Sequence, residues 1–119
     1  MQLVSQIRIN EVCASNSESQ FDEDSDTPDW IELYNTTADT LDLTGWVVMD
    51  SHHKFVLPYG KIQPLGYLVL CQSQEAYTYR FPEADNFVGD FKFGLNRSAE
   101  KIQLFSDRGA LIDKVDYKF

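Results

Sequence analysis

Carboxylates crowd the stretch 22–32, where Asp22, Asp24 and Asp26 recur at every second position before Asp29 and Glu32. In extended backbone alternate side chains point the same way, so the first three could converge on one hard cation such as calcium, which takes about six to eight oxygen ligands. The D-x-D-x-D spacing resembles the start of an EF-hand loop and then departs from it twice. Thr27 stands where that loop needs glycine, and Leu33 where it needs a bidentate glutamate. An EF-hand is therefore excluded. Asp22, Asp24, Asp26 and Asp29 are left with three readings: a looser calcium loop, a solvated acidic loop, or a patch that docks another protein.

Two further carboxylates invite acid–base chemistry. In "IRINEVC" Glu11 shares parity with Ile7, Ile9 and Cys13, so a regular strand would aim it at an apolar face, and in "WIEL" Glu32 shares a face with Trp30. A small hydrolase with Glu11 and Glu32 as general acid and base is one reading. The other is structural: each accepts hydrogen bonds or lies at a sheet margin. His52 and His53 follow Asp50 in an expected turn, and adjacent residues of a strand point to opposite faces, so they make a poor metal pair. The serines lack a G-x-S-x-G elbow, neither cysteine has a histidine beside it, and no phosphate-cradling glycine loop is present.

The elements that must hold these residues are strands. Short runs rich in β-branched and aromatic residues alternate with turn signals, the pattern of an all-β sandwich or barrel. Strands are expected at 6–14, 30–35, 44–50, 53–58, 66–72, 101–106 and 111–117. In "SDRGA" Gly109 supplies the tolerance of positive φ that a tight hairpin needs between the last two. "LPYGKIQPLGY" reads as a loop with one extended piece around Ile62, and "SQEAYTYRFPEADNF" as a single helical turn closed before Pro82. A chain of 119 residues forms one domain-sized unit. Cys13 and Cys71 sit in apolar strand patterns and are expected to be unpaired core thiols, a bridge being the alternative.

The net charge of −9 is unevenly placed. From Ile9 to His53 there are eleven acidic residues and no Lys or Arg, while the remainder carries a balance of +2. Nucleic acid is disfavoured as a general partner, since binding a phosphate backbone relies on Lys and Arg displacing counterions. No run approaches the roughly 20 apolar residues that span a bilayer, and the N-terminus lacks a charged leader followed by an apolar core.

"INEVCASN", an acidic stretch, "DWIELYN", "LDLTGWVVMD", "FVLPYGKIQPLGYLVLC" and "FGLNRSAEKIQLFSDRGALIDKVDY" occur in this order over nearly the whole chain. Together they resemble a lamin tail domain of the bacterial type. The resemblance implies an immunoglobulin-like antiparallel β-sandwich of about seven to nine strands, with Glu11, Trp30, Glu32, Trp46 and Gly109 in structural roles. It also implies a noncatalytic module, cut from a longer chain, that positions a neighbouring domain or adheres to a protein or cell-surface ligand. The implied location is extracellular, periplasmic or at the cell surface, and no cofactor is required beyond an optional calcium. Two departures fall in loops: Asn96 to Glu100 replaces an N-S-G-E type turn, and "MDSHHK" replaces an S-D-D type loop. Loops carry binding specificity, so no partner transfers from a relative. The rival reading is a carbohydrate-binding module. Most aromatics lie at core parity, but Tyr77, Tyr79 and Phe81 alternate in "AYTYRF" and would form a binding surface if exposed.

Overall fold

The computed structural model describes residues 6–14, 29–95 and 99–118. Within them run β1 (Ile7–Cys13), β2 (Trp30–Asn35), β3 (Leu41–Asp42), β4 (Val47–Met49), β5 (Lys54–Val56), β6 (Lys61–Ile62) and β7 (Tyr67–Cys71). A short helix α1 (Gln74–Arg80) follows, then β8 (Phe87–Val88), β9 (Ala99–Phe105) and β10 (Leu111–Lys118). All seven expected strands are present. The two-residue strands β3, β6 and β8 are additional, and β6 contains Ile62.

One sheet has the order β1-β2-β7-β8 and the other β10-β9-β4-β5, with β3 and β6 pairing separately. The layers follow from side-chain alternation. In β2, Ile31, Leu33 and Asn35 are buried while Trp30, Glu32 and Tyr34 lie on the opposite face. Ile7, Ile31, Leu33, Leu68 and Leu70 meet Val48, Ile102 and Leu104 in one cluster, closed by Leu43, Leu57 and Ile62. Fully burying each such side chain contributes roughly 1.5–3 kcal/mol, so the facing sheets stabilise each other through this layer.

Parity fails in β1. The pairing passes from Ile9↔Leu33 to Glu11↔Glu32, so Asn10 is an extra residue and the strand bulges. Beyond the bulge Val12 opposite Ile31 takes the inward position, and Glu11 is turned out to solvent. The apolar face that strict alternation assigns to Glu11 is therefore not where it lies.

The helix has local causes. Ser73 is extended and its side chain accepts from Ala76 N, Glu75 lies in the first turn and Arg80 in the last. Pro82 follows where continuation would fail. α1 covers the outer face of the first sheet, where Tyr77, Val69 and Cys71 form a second apolar cluster with Trp30, Ala84 and Phe87. Behind it Gly89 approaches β7 so closely that a Cβ would stand 2.7 Å from the Cys71 carbonyl oxygen, which explains glycine there. In the β9–β10 hairpin Gly109 has φ of 86°, and its N–H donates to Ser106 O at 3.0 Å.

Candidate functional site

Asp29, just before β2, and Asp50 and His53, in the turn between β4 and β5, are linked through residues 93–95. Both carboxylates are buried, Asp29 at 1% exposure and Asp50 at 6%. Each is occupied by backbone. Asp29 Oδ2 accepts the Leu95 N–H at 2.7 Å, and the Asp29 main chain exchanges bonds with Gln72, its N–H donating to Gln72 Oε1 and its carbonyl accepting the Gln72 N–H. Asp50 Oδ1 accepts the N–H groups of His52 at 2.8 Å and His53 at 2.6 Å, the local turn that Asp favours because its side chain reaches the backbone two residues on.

A single segment ties these carboxylates together. Residues 89–95 cross from the first sheet to the second: Phe91 N–H donates to Cys71 O, Phe93 stacks on His53 at 4.7 Å and 7°, and Leu95 caps Asp29. His53 Nδ1 lies 3.2 Å from Asp50 Oδ1, so the ring bridges the turn to the crossing segment. The two histidines make an edge contact at 6.3 Å. Asp22, Asp24 and Asp26 lie outside the described residues. Among the described residues no group of three His, Cys, Asp or Glu is placed to hold a metal ion, and Asp29 faces inward.

Glu11 and Glu32 do come together. They are register partners on the outer face of the first sheet, where Glu32 Oε1 accepts from Asn10 Nδ2 at 2.9 Å. Two like charges directly opposite across strands are destabilising, and the amide offsets part of that cost. The aromatic run divides. On a helix Tyr77 and Phe81 are four residues apart and pack on Trp30 at 6.4 and 6.5 Å, whereas Tyr79 points away and is 89% exposed. Tyr77 is buried, so Tyr79 has only the partly exposed Phe81 as a neighbour from that run at the surface. Trp46 is half-buried against the main core, and its N–H and C=O bond Leu43 and Leu57.

The comparisons agree with this architecture. A family model described as Lamin Tail Domain matches residues 2–119, essentially the whole chain. The chain belongs to the lamin tail domain family. The sandwich is thus immunoglobulin-like, and the family is one of non-enzymatic modules. A search of curated proteins found no match.

In this lamin tail domain Cys13 and Cys71 are free thiols. Trp30 is the register partner of both, so a strand separates them and their Cα atoms stand roughly 10 Å apart, beyond the ~7 Å limit of a disulfide. Burial pushes the Cys71 thiol up to about 12 from an ordinary 9.0, with Asp90 adding to the effect. Burial also raises Cys13, helped by Asp29 and Glu11, and raises the Tyr77 and Tyr117 hydroxyls. All four groups hold their protons more tightly folded than unfolded. Their contribution is complete below the unfolded pKa and is lost as pH rises through the folded one. The denaturation midpoint should therefore fall between about pH 9 and about pH 12, and Cys71→Ala should make that fall shallower. A midpoint flat across this range would contradict the burial of these groups.

Sequence reasoning missed two devices in the lamin tail domain. Asp50 is legible as an Asx turn in "DSHH", a signal that stands beside the more conspicuous histidines. Asn35 had no signal beyond its place at the end of "WIELYN". It is fully buried, donates from Nδ2 to the carbonyls of Asp39, Ile62 and Gln63, and accepts from Thr37 N–H and Oγ1.

Proposed function

We propose that this lamin tail domain is a noncatalytic interaction and positioning module of a bacterial exported or cell-surface protein, attaching a neighbouring domain to a protein or surface. The observation that supports this reading is the use of its buried carboxylates: Asp29 and Asp50 both accept backbone N–H groups and so clamp loops. A buried carboxylate whose oxygen is engaged by backbone N–H groups holds a loop in place instead of facing a substrate. With the loops clamped, the exposed faces become a rigid platform.

A fluorescent reporter fused to the domain and exported from a bacterial cell should stay on the envelope, while the reporter alone is released to the medium. Equal release of the two would overturn the proposal. A structural calcium at Asp22, Asp24 and Asp26 is a separate element of the proposal. It requires a thermal midpoint that climbs with calcium concentration, as for any ligand that binds only the native state. No change at millimolar calcium would remove it.

A further inference from the structure

We infer that β5 is a docking edge for an extended segment of a partner protein that carries an apolar residue followed two positions later by an acidic one. The inference rests on the interaction-module reading and names the surface and the partner chemistry that reading leaves open.

On the outer face of the second sheet Leu111, Phe105, Val47 and Val56 are successive partners, so one apolar row crosses all four strands. It is open to solvent at both ends, with Leu111 at 49% and Val56 at 51% exposure. The adjacent row reads Lys114, Gln103, Met49, Lys54, and Lys101 lies in the next, opposite Asp116. An apolar row exposed at both ends and bordered on one side by lysines is thus present on a chain whose net charge is −9. Both rows stop at β5, the sheet edge.

The backbone of that edge is ready to pair. Leu57 N–H donates to Trp46 O and Asp50 N–H to His53 O, which fixes the hydrogen-bonded pairs of the β4–β5 hairpin as Trp46 with Leu57, Val48 with Phe55, and Asp50 with His53. Lys54 and Val56 therefore aim their N–H and C=O groups outward, and no described residue bonds them. An antiparallel strand laid there would make four backbone hydrogen bonds. Its side chain opposite Val56 would extend the apolar row, and the one two positions later would face Lys54, where only an acidic group gains from pairing.

The test uses a capped synthetic peptide, Thr-Thr-Ile-Val-Glu-Thr-Thr, and a control with Glu replaced by Lys, titrated into the isotope-labelled domain and followed by amide shifts. The Glu peptide should shift Lys54 and Val56 amides saturably, and the Lys peptide should not. Lys54→Glu should weaken binding by at least about fivefold, and Val56→Pro should abolish it. Proline removes only an outward N–H and leaves the β4 ladder intact. Lys54 is exposed, so its variant folds and keeps the test valid should the proline variant fail. Shifts confined to other surfaces, binding indifferent to both variants, or self-association of the domain through β5 would each overturn the inference. In the reporter assay, retention surviving Val56→Pro would reject the docking edge and leave the module reading standing. Release of the wild-type reporter would count against the module reading, while the peptide titration judges the edge independently.

Discussion

Asn35→Ala is expected to lower the stability of the domain by about 2–4 kcal/mol, a thermal midpoint shift on the order of 10 °C. The side chain is fully buried and its amide serves three carbonyls, at 2.8 Å from Asp39 O and 3.1 Å from Ile62 O and Gln63 O. Its oxygen holds the Thr37 N–H at 2.9 Å and the Thr37 hydroxyl at 2.8 Å. Alanine removes all of these contacts, in which the two N–H groups of the amide are shared among the three carbonyls. The Asp39 and Thr37 groups can recover water, but the carbonyl of buried Ile62 cannot easily do so, and a buried acceptor without a partner costs roughly 1–3 kcal/mol. Asn35→Asp sharpens the test. It keeps an acceptor for Thr37 but points an anion at three carbonyl oxygens, so it should destabilise near neutral pH and recover in part when acid protonates the new carboxyl. A loss under ~0.5 kcal/mol for Asn35→Ala would mean that Asn35 does not link β2 to the Ile62 strand.

Asp29→Ala should cost about 2–3 kcal/mol, the range for losing a hydrogen bond to a charged group with the donor left buried. The donor is Leu95 N–H, and Leu95 itself is 5% exposed. Asp29→Asn keeps an oxygen acceptor for the Leu95 N–H and exchanges the other carboxyl oxygen for an NH2 donor, so about 1 kcal/mol is expected. The order of the two variants matters more than either value. If asparagine proves as damaging as alanine, the charge of Asp29 serves something other than the Leu95 N–H.

Much of the fold is legible in the residues themselves. The alternation of "WIELYN" puts Ile31 and Leu33 inside, and the hairpin glycine and the strand runs are local signals. Glu11 is illegible because a bulge at Asn10 resets parity, and nothing in "IRINEVC" marks an inserted residue. The helical turn closed before Pro82 is legible in "SQEAYTYRFP", and what the alternation of Tyr77, Tyr79 and Phe81 conceals is that the helix sends Tyr77 and Tyr79 to opposite sides. The site is harder still. Asp29 meets Leu95 across 66 positions, and Asn35 meets Ile62 across 27. The apolar and lysine rows on the second sheet exist only through register, which joins residues 47, 56, 105 and 111.

Amide hydrogen exchange at Leu95, compared between wild type and Asp29→Asn, tests most directly whether the buried carboxylates act as loop clamps. In the wild type the Leu95 N–H should exchange as slowly as the core amides of Ile31 and Leu33, and in Asp29→Asn it should exchange faster while Ile31 and Leu33 stay protected. Leu95 exchanging at the rate of an open loop in the wild type would contradict the account.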